Sequence, residues 1–180
     1  MKYCSDCGAR LSYRIPKNDD RPRFICDRCG VIHYKNPNMV VGSIPIWQES
    51  ILLCRRAIEP RYGKWTLPAG FLENGETVEA GAKRETLEEA GASIVELKPY
   101  ALYNLAFINQ VYIMFRAKLP EPLFNAGHES LEVRLFKRHE VPWNELAFSA
   151  IHKTLQDYFD DLEKGIFSFH MDDIVQKWDY

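Results

Sequence analysis

Apolar residues fall in short runs or at alternate positions over most of the chain, and at helical spacing in two stretches only. The runs at 36–47 (NPNMVVGSIPIW) and 50–57 (SILLCRRA) flank a polar turn and predict a hairpin. A Gly- and Pro-punctuated loop follows, then helical periodicity over 77–91 (TVEAGAKRETLEEAG). Residues 93–107, 110–119 and 131–141 read as further strands, and 147–165 (AFSAIHKTLQDYFDDLEKG) as an amphipathic helix. The order strands, helix, strands, helix predicts an α/β sandwich with a mixed sheet between helices, over 37–166. The aromatic segment 167–180 is expected as a tail that docks onto it.

The first 36 residues differ in character. They hold two short apolar segments, around Leu11, Tyr13 and Ile15 and at Phe24 and Ile25, joined by a polar turn, which predicts a small all-β module. They carry eight Lys/Arg against four Asp/Glu (+4), whereas the remainder carries fifteen against twenty-one (−6). Cys4, Cys7, Cys26 and Cys29 form two C-x2-C pairs eighteen residues apart, each followed by Gly, which is zinc-ribbon spacing. Two disulfides are the alternative. Four protein ligands leave no open position, so the zinc reads as structural, and so short a module needs the metal to fold.

With 180 residues, 46% hydrophobic and 13% aromatic, the chain can bury a core, which excludes a disordered protein. No apolar run reaches the roughly 18 residues of a membrane span, and the N-terminus lacks the apolar stretch of a secretory signal. The expectation is a cytoplasmic protein without a membrane partner. Cys54, left over in an apolar run, reads as a buried small hydrophobe.

The densest chemistry lies in 70–92. On a helix over about 78–90, with Thr77 as N-cap and Gly91 ending it, Glu88 falls about 60° to one side of Glu85 and Glu89 about 40° to the other. Three carboxylates on one face repel one another unless a cation offsets them, and Mg²⁺ binds in this way, through a few carboxylates plus substrate phosphates. A solvated acidic face is the alternative for the Glu-Glu pair alone. Gly81, near the same face, is expected to keep the approach to the metal clear.

The segment resembles the Nudix box, G-x5-E-x7-R-E-U-x-E-E-x-G-U with U apolar, at Gly70, Glu76, Arg84, Glu85, Glu88, Glu89 and Gly91, with Thr86 and Ala92 at the apolar positions. The resemblance implies an α/β/α sandwich and hydrolysis, with Mg²⁺ or Mn²⁺, of a diphosphate joined to a nucleoside. It implies Glu85, Glu88, Glu89 and the Ala69 carbonyl as metal ligands, with Arg84 and Glu76 orienting them. A zinc ribbon before such a domain is similar to the NADH pyrophosphatases. A longer likeness, through LLCRRAIEPRYGKWTLPAGFLENGET, LAFSAIHKTL and DLEKGIFSFH, is to plant plastid Nudix proteins that cleave FAD, with ADP-ribose a related substrate. Their transit extension is missing here, so a bacterial relative is expected, often a homodimer in this family.

In HESLEVRLF either Glu129 or Glu132 could add a carboxylate. Glu132 is favoured, because Glu132–Phe136 aligns with the E-A-R-W-aromatic stretch of the NADH pyrophosphatases. Tyr62, Trp65, Phe71, Tyr103 and Phe107 could stack a nucleobase or flavin ring, or serve as core. The five scattered histidines receive no role. A nucleotide-sensing or nucleic-acid-binding protein is the rival reading, supported by the +4 module. The absence of a basic field overall makes nucleic acid the less expected partner.

Overall fold

The computed structural model describes residues 1–175. The contacts divide the chain into Met1–Asn36 and Pro37–Tyr180.

The first unit is a three-stranded antiparallel sheet of β1 (Leu11–Arg14), β2 (Arg23–Cys26) and β3 (Ile32–His33), with β2 in the centre.

The second unit is built on β4 (Asn38–Trp47) and β5 (Ser50–Arg56), followed by the short strands β6 (Trp65–Thr66) and β7 (Ala69–Phe71) and the helix α1 (Val78–Ala90). Strands β8 (Val95–Leu105), β9 (Gln110–Lys118) and β10 (Ser130–Lys137), helix α2 (Ser149–Lys164) and strand β11 (His170–Asp173) complete it. The sheet runs β10-β5-β4-β9-β8-β11, with β6 on β5 and β7 on β4. The β4–β9 and β8–β11 pairs are parallel and the others antiparallel, so the sheet is mixed, as the element order predicts.

The run Ile51-Leu52-Leu53-Cys54 shows why the sheet needs helices on both faces. Ile51 and Leu53 pack with Ile151 and Leu155 of α2, while Leu52 and Cys54 pack with Ala90 and Ala92 at the end of α1. A strand apolar on both faces belongs at the centre of a sandwich. Cys54 is the small buried hydrophobe expected of it. Within the predicted tail, His170–Asp173 form β11, a parallel strand at the edge of the sheet beside β8. Residues 176–180, the end of the predicted tail, lie outside the described residues. Among the described residues no helix is long and apolar enough to cross a membrane.

Helix α1 begins and ends where its sequence signals place it. The Thr77 hydroxyl accepts from the Ala80 amide, and Gly91 closes the helix in the left-handed conformation. Ala82, Thr86 and Ala90 form its buried stripe. Thr86 occupies an apolar position at no cost in unpaired groups, because its hydroxyl donates to the Ala82 carbonyl at 2.7 Å and bonds the Ser43 hydroxyl of β4 at 2.8 Å. Gly81 does not open a path to a metal. A Cβ there would press on Val41, Leu72 and the Glu76 carboxylate, so glycine lets α1 sit close against the sheet and its preceding loop.

Candidate functional site

Arg84 organises the acidic face of α1. Its guanidinium grips Glu76 as a fork, Nε to Oε2 at 3.1 Å and Nη2 to Oε1 at 2.7 Å. Nη1 donates to Glu85 Oε1 at 2.6 Å and Glu88 Oε2 at 3.0 Å, and Nη2 also reaches the Phe71 carbonyl at 3.0 Å. The Glu73 amide donates to Glu76 at 2.7 Å. The loop before α1 is thus fastened to the helix by charge-assisted bonds, and the Arg84 guanidinium holds the Glu76 carboxyl below its usual range. Arg84 and Glu76 are placed to orient the neighbouring carboxylates.

Glu85 and Glu89 point inward and are 8% and 6% exposed, whereas Glu88 lies at the surface. Burial pushes the Glu85 carboxyl up, against the pull of Arg84. It pushes Glu89 up to about 8, although the Ala69 amide donates to its Oε2 at 3.1 Å and the Arg56 charge also favours the anion. Gly70 lies so close to Glu85 that a Cβ would collide with the carboxylate. The site therefore gathers Glu76, Glu85, Glu88, Glu89 and Glu129, with the guanidinium groups of Arg84 and Arg56 acting on them. Two buried carboxylates beside further acidic groups are what a hard divalent cation on oxygen ligands would neutralise, so these residues fit such a cation.

The structure brings Glu129 rather than the favoured Glu132 near the α1 carboxylates. The Glu129 charge raises both Glu85 and Glu89. Its loop is tied to α1, with the Asn125 amide donating to the Ala90 carbonyl at 2.9 Å and the Gly127 amide to the Glu89 carbonyl at 3.1 Å. Glu132 pairs in register with Arg55 and lies 3.8 Å from its guanidinium, on the Leu53 and Phe136 face of the sheet, which α2 covers. A register shift between Ser130 and Glu132 separates the two glutamates. Glu129→Gln is accordingly expected to reduce turnover at least tenfold and Glu132→Gln less than threefold, in a comparison of kcat at saturating Mg²⁺.

Arg56 escaped the sequence reading. Alternation along β5 puts it on the Leu52 and Cys54 face, and it is 9% exposed, with Nε donating to the Pro60 carbonyl at 2.9 Å. The signal available was a charged residue in phase with an apolar stripe.

The aromatic candidates separate. Trp65 packs edge-on against Phe136 at 4.8 Å, and Tyr103 is fully buried with its hydroxyl donating to Asp157 at 2.6 Å, so neither offers a ring face to a ligand. Phe71 and Phe107 are exposed. Phe71 pairs with Val40 near the start of β4, and Asn38 pairs with Gln110 just after the turn that holds Phe107, so both rings emerge at one end of the sheet. Tyr62 is also exposed, in the loop before β6.

In the first unit, Cys4, Cys7, Cys26 and Cys29 form the one group among the described residues whose ligand atoms all lie within 4.8 Å of one another. The Cys7–Cys26 and Cys4–Cys29 sulfur separations are 3.4 and 3.7 Å. These exceed a disulfide bond and approach the ~3.8 Å edge of a tetrahedron with Zn–S bonds of about 2.3 Å. The Cys29 and Arg28 amides draw the Cys26 thiol down to about 6, towards the thiolate that a metal needs. His33, given no role from sequence, brings Nε2 to 3.4 Å from the Cys4 sulfur, as an outer partner of a ligand.

Fold and site together define a class: an α/β/α sandwich with a loop–helix–loop carboxylate site, preceded by a tetracysteine ribbon. The chain belongs to the Nudix family, since the NUDIX domain matches residues 37–158 and the Nudix N-terminal zinc ribbon matches residues 2–35. It is similar to a NUDIX hydrolase of known crystal structure from Nitrosomonas europaea, at 52% identity over 98% of this chain and 100% of that one, with a TM-score of 0.94. Among curated proteins it is similar to the NAD-capped RNA hydrolase NudC of Vibrio parahaemolyticus, at 26% identity over 89% of this chain, and to that of Haemophilus influenzae PittGG, at 30% over 86%. The matches span 62% and 60% of those two relatives.

Proposed function

We propose that the protein hydrolyses the diphosphate bond of a dinucleotide or nucleoside-diphosphate derivative, adding one water to release two monophosphates. FAD would give FMN and AMP, and ADP-ribose would give AMP and ribose 5-phosphate. The observation that carries this reading is the set of buried glutamates braced by Arg84, beside further acidic groups.

Glu85, Glu88, Glu89 and Glu129 would hold the divalent cation, with the Ala69 backbone beside them. Bound there, a cation neutralises diphosphate oxygens and makes a water acidic enough to attack. Arg84 and Glu76 keep the carboxylates in place, and Arg56 supplies a fixed positive charge facing Glu89. Phe71, Phe107 and Tyr62 are exposed rings that could stack. Four reduced cysteines suit a cytoplasmic enzyme, and a homodimer is carried over from the resemblance.

FAD and ADP-ribose rank first because of the likeness to the plant plastid FAD-cleaving proteins. In addition, residues 100–110 (YALYNLAFINQ) hold nothing like the S-Q-P-W-P-F-P-x-S stretch of the NADH pyrophosphatases. The second reading is cleavage of NADH or NAD, favoured by the curated relatives. Their name specifies a capped RNA, so the expectation that nucleic acid is not a partner loses its support. A panel of FAD, ADP-ribose, NADH and NAD⁺ at equal Mg²⁺ decides between the readings. The first predicts the highest kcat/KM for FAD or ADP-ribose. A tenfold preference for NADH, about 1.4 kcal/mol of transition-state discrimination, would select the second.

A further inference from the structure

We infer that the zinc-ribbon unit is a grip for single-stranded nucleic acid. The inference rests on that unit's own surface and is independent of the hydrolytic reading.

Two of its four acids are already used. Arg14 lies 3.2 Å from Asp27 and Arg23 lies 3.0 Å from Asp19. Lys2, Arg10, Lys17, Arg21, Arg28 and Lys35 make no ion pair among the described residues and face only Asp6 and Asp20 as counter-charges within the unit. This local excess of +4 sits on a chain whose remaining residues sum to −6, so the basic field is confined to about 36 residues.

The same unit exposes three tyrosines, Tyr3, Tyr13 and Tyr34, at 56%, 63% and 65%. Such rings in so small a module would be expected to cover its limited core. Instead all three are exposed, two of them on one face of the sheet. Tyr3 bridges Arg10, and alternation carries that face on to Ser12 and Arg14, opposite Ile25 and Arg23. The Arg23 guanidinium lies 5.2 Å from the Tyr34 ring centre, which puts Tyr34 on this face as well. Tyr13 leaves by the other face and tilts against Phe24 at 4.9 Å. Rings interleaved with cations are the combination that takes up unpaired bases by stacking and the phosphate backbone by charge. A duplex would engage the cations alone, since its base faces are covered, and an acidic peptide would leave the rings unused.

The test uses the full chain with its zinc bound and no other divalent cation added, and follows the anisotropy of labelled oligo(A) RNA, oligo(dA) and a duplex of the same length over a salt series. Single strands, RNA alone or both kinds, are expected to bind more tightly than the duplex. Each phosphate neutralised should add about −0.7 to the slope of log affinity against log salt, so that engaging four to six cations gives roughly −3 to −4. Tyr3→Ala with Tyr34→Ala is expected to weaken single-strand binding at least tenfold with the slope kept. The corresponding Tyr→Phe pair should bind as wild type, and Arg10→Gln with Arg28→Gln should flatten the slope by about 1.4. Zinc content equal to wild type checks that each variant is folded. No binding, duplex binding equal to single-strand binding, or binding indifferent to both the tyrosine and the arginine pairs would overturn the inference, whatever the protein hydrolyses.

Discussion

Glu89→Gln is expected to lower kcat by about three orders of magnitude while leaving the metal-free protein as stable as wild type or more so. Glutamine keeps the shape of the side chain and can still accept from the Ala69 amide, but it brings no negative charge to a cation. Loss of one such ligand from a hydrolytic site corresponds to about 4 kcal/mol of transition-state stabilisation. The stability effect has the opposite sign because burial pushes the Glu89 carboxyl up to about 8. A carboxyl raised above its unfolded value contributes stability that is fully present below about 4.5 and is lost as pH rises through about 8. Metal-free wild-type protein should therefore melt lower at pH 8 than at pH 5, and Glu89→Gln should remove most of that contribution. At pH 8 the variant should melt higher by about 2–4 °C for each kcal/mol relieved, as seen by calorimetry in metal-depleted buffer. Near-normal turnover of the variant at saturating Mg²⁺ would dismiss this helix face as the hydrolytic site.

The second large effect concerns zinc. The four cysteine sulfurs should hold one equivalent that survives dialysis, because thiolate ligation of a structural zinc is worth about 10–16 kcal/mol near pH 7. The three short strands of the first unit bury too little to replace it. Stripping the metal with a strong chelator should unfold residues 1–36, seen as loss of their amide protection in hydrogen exchange, while the β4–β11 sheet stays protected. Hydrolysis of a free dinucleotide should decline later than that protection does. A metal analysis that finds no zinc, together with a disulfide at Cys4, would sink the assignment.

Where the sequence proved legible, local chemistry was decisive. Helix α1 could be bounded to the residue because Thr77 can cap only forwards and Gly91 readily takes the left-handed turn, and the ribbon ligands followed from spacing alone. Nonlocal pairing decided the rest. Alignment of Glu132–Phe136 with the E-A-R-W-aromatic stretch favours Glu132 over Glu129, whereas a register shift of β10 sends Glu132 to the α2 face. Trp65 and Tyr103 have the composition of stacking rings, but Phe136 and Asp157, distant in sequence, claim them for the core. Strand β11 was hidden for the same reason, because its partner β8 lies beyond α2 in the chain and supplies the pairing that four polar-leaning residues do not announce. Arg56 was hidden by its neighbour, since two adjacent arginines at a strand end look alike until the sheet assigns each a face.

The central claim is that the α1 carboxylates support hydrolysis of a diphosphate only with a divalent cation present. Its most direct test is chromatography of the products formed from FAD and from ADP-ribose by zinc-loaded protein, in resin-depleted buffer that leaves the ribbon metal in place, with and without added Mg²⁺ or Mn²⁺. The account predicts AMP in equal amount with FMN or ribose 5-phosphate once the cation is added, and essentially none before. AMP release at the same rate without the added cation, or no AMP from any dinucleotide with it, would contradict the account.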